Sequence, residues 1–387
     1  MYKVLVVFGT RPEAIKLCPV VLNLRSRQQV AVTVCVTAQH RALLDQVLGA
    51  FEIAPEFDLD LMLPNQTLSQ STGRILAGLE PVLAAARPDM VLVQGDTTTT
   101  LCGALAAFYH RIPVGHVEAG LRTWDRWRPF PEEMNRLLTT RLATLHFAAT
   151  QWAAHNLEAE GVPPGRIAVT GNSGIDAVLY VRDRLEQGTL HGLEWPQLDP
   201  SRKLIVVTAH RRESFGEGFQ RICTALAQLA GREDVQIVYP VHPNPSVQGP
   251  VKQRLGGLHN VFLVEPLDYV PFVDLMRRAC LLITDSGGVQ EEGPSLGKPI
   301  LVLREKTERP EAVEAGTVKL VGTDVERILR EATRLLEDPS EYQRMARIHN
   351  PYGDGRASQR IGDLILSFFS EKSVPPEDAG ASHWALS

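Results

Sequence analysis

Residues 4–36 read VLVVFGTRPEAIKLCPVVLNLRSRQQVAVTVCV. An apolar run, Val4 to Phe8, ends in Gly9-Thr10, a helix-period stretch follows from Glu13 to Arg25, and a second β-branched run fills Val30 to Val36. Strand, helix and strand in so short a span make a βαβ unit with parallel strands. The same rhythm runs outward. Strands are expected at Met90 to Val93, Val114 to Val117, Leu145 to Ala148 and Ile167 to Val169, with helices at Arg41 to Phe51, Leu68 to Ala86 and Glu132 to Leu142. It resumes with Leu204 to Thr208, Val235 to Pro240, Val261 to Leu263, Leu281 to Thr284 and Ile300 to Leu303. This is an α/β chain of two doubly wound, Rossmann-like parallel-sheet domains, expected to face a cleft.

The rhythm breaks between Arg184 and Arg202, where Gly188, Gly192, Pro196 and Pro200 cluster. The expected division is therefore an N-terminal domain over 1–183, a linker over 184–202 and a C-terminal domain over 203–354. A final helix is expected over 355–369 and a disordered tail over 370–387. A length of 387 residues suits two domains. The 44% hydrophobic content excludes wholesale disorder. Forty basic against 45 acidic residues leave a net charge of -5, which argues against a nucleic-acid binder. No apolar run approaches the ~18 residues of a membrane helix, and the N-terminus does not read as a secretory signal. Cys18, Cys35, Cys102, Cys223 and Cys280 are scattered, without a Cys-x-x-Cys pair, and no paired-histidine motif appears. A reducing cytoplasm is expected, with no bound metal and no cofactor.

In doubly wound sheets, ligands bind beyond the carboxyl ends of the strands, so the loops there carry the chemistry. The first strand ends Gly9-Thr10-Arg11-Pro12-Glu13, with Lys16 beyond it. Pro12 suits the first helical position, and Arg11 at a helix start favours an anion, the lesser alternative being an ordinary turn with a solvated arginine. No Gly-x-Gly-x-x-Gly follows, so this is not the dinucleotide fingerprint. Gly293 to Pro299 is not a P-loop either, because its glycine spacing is short. Asp96 follows Gln94-Gly95, either as a functional carboxylate or as a cap for the helix at Thr97. Glu118 ends the next strand. Pro131 reads as a helix N1 residue, with Glu132 and Glu133 in the first turn complementing the helix dipole or doing chemistry. Glu132 and Arg136 share a face, which also fits a surface pair. Asp96, Glu118 and Glu132 together point to acid/base work.

In the second half, His210 follows Thr208-Ala209 and precedes Arg211, and Pro240-Val241-His242-Pro243 follows the next strand. Thr284-Asp285-Ser286-Gly287-Gly288 opens a helix that carries Glu292 a turn later. Free N–H groups at such an entry suit phosphate oxygens, and a glutamate there suits ribose hydroxyls.

Twelve motifs then appear in order over residues 3–368: FGTRPEAIK, VTAQHR, QGDTTTT, PVGHVEAGLRT, PFPEEMNR, TGNSGIDA, TAHRRES, YPVHPNP, ITDSGGVQEE, PSLGKP, TERPEAVEAGT and NPYGDGRAS. The set resembles the non-hydrolysing UDP-N-acetylglucosamine 2-epimerases. The resemblance implies a glycosyltransferase-B-like architecture whose C-terminal helix crosses back to the first domain, and a homodimer. It implies UDP-N-acetylglucosamine and UDP-N-acetylmannosamine as ligands, interconverted by anti elimination of UDP to a 2-acetamidoglucal and re-addition. Asp96, Glu118, Glu132 and His210 would be catalytic, with Lys16 and Arg136 beside the carboxylates. Arg11, His210, Ser286, Gly287 and Gly288 would meet the diphosphate, Glu292 the ribose, Phe272 in the Val270-Pro271-Phe272 turn the uracil, and Arg309 the phosphate or sugar. Gln39, Gln66, Arg211, Glu213 and His242 match a second, allosteric UDP-N-acetylglucosamine site found in some members, or else line the hinge. A hydrolysing epimerase and a UDP-sugar glycosyltransferase are the alternatives.

Overall fold

A computed structural model describes residues 1–37, 41–63, 65–307 and 309–373. The chain forms two compact units, one of Met1–Ser173 with the segment from Gly355 onward, the other of Gly174–Asp354. In the first, β1 (Tyr2–Phe8), β2 (Val30–Val36), β3 (Phe57–Asp58), β4 (Met90–Gln94), β5 (Val114–Ala119), β6 (Leu145–Ala148) and β7 (Ile167–Val169) form a parallel sheet. Its order is β3-β2-β1-β4-β5-β6-β7. In the second, β8 (Lys203–Thr208), β9 (Val235–Pro240), β10 (Val261–Val264), β11 (Leu281–Thr284), β12 (Ile300–Val302) and β13 (Val318–Leu320) are parallel in the order β10-β9-β8-β11-β12-β13. Both sheets therefore reverse winding direction beside their first strand, between β1 and β4 and between β8 and β11.

The strands are long on β-branched residues because both sheet faces are covered. Leu5, Val6, Val91, Leu92, Ile205, Val207 and Ile283 are fully buried or nearly so. Each contributes ~1.5–3 kcal/mol by leaving water. Two strands escaped the hydrophobic pattern. β3 is a half-exposed Phe-Asp pair, and β13 is a three-residue Val-Lys-Leu, both too short for periodicity to register.

The unit boundary falls at Ser173 and Gly174, at the start of helix Ser173–Glu186, ahead of the turn-rich 184–202 segment. Glycine and proline report where the chain turns, whereas a boundary reports where contacts change. The last helix, Ala357–Ser373, runs four residues beyond Phe369 and so includes part of the segment expected to be disordered. Residues 374–387 lie outside the described residues. That helix packs on helix Arg11–Arg25 within the first unit. Arg27 Nη1 lies 2.7 Å from Asp363, and the Tyr2 and Phe369 rings stack 4.3 Å apart. Gly362 permits the approach, since a Cβ there would sit 2.6 Å from the Asn23 side-chain oxygen.

Candidate functional site

In the first unit the candidate side chains gather at the carboxyl ends of β1, β4 and β5, three adjacent strands. Thr10 caps helix Arg11–Arg25 and forms a capping box with Glu13, placing Arg11 at the first helical position and Pro12 one later than expected. Glu13 is 1% exposed. Its Oε2 accepts from the Gly9 and Thr10 amides at 3.0 and 2.8 Å and from the Thr10 hydroxyl at 2.7 Å. Its Oε1 accepts from the Thr97 and Thr100 hydroxyls at 2.7 and 3.1 Å. One buried carboxylate thus staples the loop after β1 to the helix after β4. Burial pushes its pKa up against those donors.

Register brings Gln94 opposite Val117, so Asp96 and Glu118 leave neighbouring strands at similar depth. Asp96 does not cap the next helix; Thr97 does, accepting from the Thr100 amide. Asp96 Oδ2 instead takes Arg136 Nε at 2.9 Å and Nη2 at 2.7 Å. The Asn135 amide donates to the Asp96 carbonyl at 2.8 Å, and His116 Nε2 donates to the Gly95 carbonyl at 2.7 Å. His116 is fully buried, and burial lowers its pKa to about 3, which keeps it neutral. Glu118 sits at a register shift between β5 and β6 with φ 62°, a left-handed conformation rare for glutamate. Such bulges re-aim a side chain, and strain of this kind concentrates at functional sites. Glu118 receives Lys16 on one oxygen and Gln94 Nε2, at 2.5 Å, on the other. The two carboxylates are each held by their own cation, and they keep 10% (Glu118) and 27% (Asp96) side-chain exposure.

Glu132 opens helix Glu132–Leu142, whose N-cap is Pro131 rather than Pro131 being the first helical residue. Its expected partner, Arg136, turns instead to Asp96 and to Glu133 Oε2, 3.0 Å away. Burial works against the Arg136 charge, but Asp96 and Glu133 outweigh it and raise its pKa. Glu132 is half-buried and forms no ion pair among the described residues.

In the second unit, His210 follows β8 and Asp285 follows β11, the two strands at its reversal point. Asp285 is fully buried, and its Oδ2 accepts from the His210 and Arg211 amides at 2.6 and 2.7 Å. His210 Nδ1 lies 3.5 Å from Asp285 Oδ1, and its ring stacks on His242 at 5.4 Å. Burial lowers the His210 pKa, with Asp285 opposing and His242 and Arg211 adding to the decrease. Ser286 is the N-cap of helix Gly287–Glu292 and makes no side-chain cap bond. The Arg309 guanidinium occupies the space where a Cβ on Gly287 would lie, 2.6 Å from its Cζ, and Nε bonds Glu291 at 2.6 Å. A cation therefore rests on the opening of that helix. Glu292 is half-buried on the same helix. Phe272 is not in a turn but in the first turn of helix Tyr269–Arg278, half-buried, with its amide bonded to the Asp268 carbonyl.

The remaining candidates are divided between the two units. Gln66 belongs to the first unit, where its Nε2 lies 2.8 Å from Met62 Sδ. Arg211, Glu213 and His242 belong to the second; Glu213 pairs with Arg304 at 2.5 Å and His242 accepts from the Asn244 amide. Gln39 lies outside the described residues. Among the described residues, no group of three or more His, Cys, Asp or Glu side chains is placed to hold a metal ion, and no helix is long and apolar enough to cross a membrane. Glu13, Gln94, His116 and Asp285 build the site without having been expected to, and Glu133, expected only as a first-turn acid, does so through Arg136. Only Glu13 carried a local signal, the Thr-x-x-Glu spacing of its capping box.

A sequence profile of the UDP-N-acetylglucosamine 2-epimerase family matches residues 22–366. The UDP-N-acetylglucosamine 2-epimerase of Salmonella typhimurium is 58% identical over 371 residues, covering 95% of this chain and 99% of the relative. That of Yersinia pestis is 58% identical over 364 residues, covering 93% and 97%. The crystal structure of UDP-GlcNAc 2-epimerase from Neisseria meningitidis bound to UDP-GlcNAc superposes with a TM-score of 0.86 at 49% identity, covering 94% of this chain and all of that one.

Proposed function

Because the chain belongs to the UDP-N-acetylglucosamine 2-epimerase family, we propose that it interconverts UDP-N-acetylglucosamine and UDP-N-acetylmannosamine without net hydrolysis. The C2 hydrogen of a 2-acetamido sugar is not acidic, so inversion by simple deprotonation is a poor route. Elimination avoids the difficulty. A carboxylate takes the C2 proton, the C1–O bond breaks with its electron pair leaving on the UDP phosphate, and a C1–C2 double bond forms. UDP oxygen then returns to C1 while an acid protonates C2 from the opposite face, so atoms and charge balance.

The observation that carries the reading is the pair Asp96 and Glu118. They sit level at neighbouring strand ends, each ion-paired and partly open to solvent. Their separate partners allow one to act as base and the other as acid. In this reading Glu132, which forms no ion pair among the described residues, completes the carboxylate set. Arg11, His210, Ser286, Gly287 and Gly288 receive the diphosphate, whose departure the cations and helix N–H groups stabilise. Glu292 holds the ribose, Phe272 lies against the uracil, and Arg309 supplies charge to the phosphate end.

The test is incubation of the protein with UDP-N-acetylglucosamine in deuterated water, without an acceptor, followed by proton NMR. UDP-N-acetylmannosamine carrying deuterium at C2 is expected. Free N-acetylmannosamine with UDP would make the enzyme hydrolysing. Retention of hydrogen at C2 would overturn the elimination.

A further inference from the structure

Glu133 neighbours Glu132, yet it faces a different task. It is 1% exposed. Its Oε1 accepts from the Thr123 amide at 3.1 Å and the Trp124 amide at 3.0 Å. Its Oε2 accepts from Arg136 Nη1 at 3.0 Å, and the same guanidinium places Nε and Nη2 on Asp96 Oδ2. One buried carboxylate therefore fastens the loop between β5 and helix Glu132–Leu142 and also holds the cation that holds Asp96. A free arginine has many rotamers, whereas a guanidinium bound on two edges has one orientation.

We propose that Glu133 is a positioning residue for the epimerisation: by fixing the Arg136 guanidinium it sets the direction in which the Asp96 carboxylate points. The proposal rests on the reading of Asp96 as a member of the acid/base set. Glu133 itself touches no reacting atom. Misplacing a catalytic group by about 1 Å costs ~10²-fold in rate, so a support at this distance has a kinetic signature.

The two oxygens of Glu133 can be separated chemically. In Glu133→Gln the amide oxygen continues to accept from both backbone N–H groups, because the opposite orientation would set donors against donors. The NH₂ then faces Arg136, and that link is lost, while Arg136 keeps Asp96 as its counter-charge. In Glu133→Asp the charge towards Arg136 survives, but the shorter side chain loosens its hold on the loop. Steady-state kinetics with UDP-N-acetylglucosamine, alongside thermal unfolding, test the assignment. Glu133→Gln should lose at least ~10-fold in kcat with KM within about threefold of wild type, and Glu133→Asp should keep more kcat than Glu133→Gln. Glu133→Gln turning over at the wild-type rate would overturn the proposal. So would Glu133→Gln outperforming Glu133→Asp, the order that fastening of the loop alone gives. If Glu133→Gln unfolds, Arg136→Lys serves in its place. Lysine cannot span Asp96 and Glu133 together, so the same kcat loss at steady KM is expected, and an unchanged kcat would overturn the assignment. Failure of the underlying reading shows separately, as wild-type protein that forms no epimer.

Discussion

Acidification should weaken the first unit through His116, and the amount follows from its surroundings. The ring is fully buried and donates Nε2–H to the Gly95 carbonyl, while Nδ1 has no hydrogen-bond partner among the described residues. Burial lowers its pKa from 6.5 to about 3. The native state therefore binds this proton less readily than the unfolded chain. The contribution to stability is complete above the unfolded pKa and is lost as pH falls from there towards the folded value. Each unit of pH in that window removes ~1.4 kcal/mol, so pH 5, about 1.5 units below the unfolded pKa, costs ~2 kcal/mol. With a urea m-value of about 2 kcal/mol/M, the unfolding midpoint drops by ~1 M. His116→Gln supplies the comparison, because a glutamine can still donate to Gly95 but does not titrate here. His146, also lowered by burial, and Glu13, raised by burial, remain in both proteins and cancel in the difference. Urea unfolding followed by circular dichroism at pH 8, 6.5, 5.5 and 5 should show the wild-type midpoint falling more steeply than the variant's. Parallel midpoints across that range would refute the argument.

Asp96→Asn, Glu118→Gln and Glu132→Gln should each lose at least ~10²-fold in turnover in the epimerisation assay, the scale of a missing acid or base. Glu292→Ala should instead weaken UDP binding, read by calorimetry, with little change in kcat, because ribose contacts are shared by ground and transition states. Gly287→Ala should also weaken UDP binding, since the new methyl displaces the Arg309 guanidinium from the helix opening. Glu13→Ala leaves the Gly9 and Thr10 amides and the Thr10 hydroxyl without their acceptor, and should cost at least ~3 kcal/mol in an unfolding titration.

The two parallel sheets and most strand limits are legible in the order of residues, because a strand covered on both faces is apolar along most of its length. Val30–Val36, Leu145–Ala148 and Leu281–Thr284 match their expected runs residue for residue, and so does the edge strand Ile167–Val169, although Val169 is exposed. The acids at strand ends are legible as well, since Asp96 stands just past β4 and Glu118 is the last residue but one of β5. Partnership was another matter. Arg136 stands four residues from Glu132, yet it bonds Asp96, forty residues away in the chain, together with Glu133 beside it. The helix that carries Arg136 is delivered to the end of β4 by sheet order, and spacing along one helix carries no information about sheet order. The same holds for Lys16 on Glu118 and for Asp285 beneath His210. The left-handed backbone of Glu118 comes from a register shift between two strands, which neither strand's own residues specify. Local chemistry is written in the order of residues; which charge meets which is set when β1 comes to lie beside β4, and β8 beside β11, because only then do groups distant in the chain come within bonding distance, with water partly excluded as a competing partner.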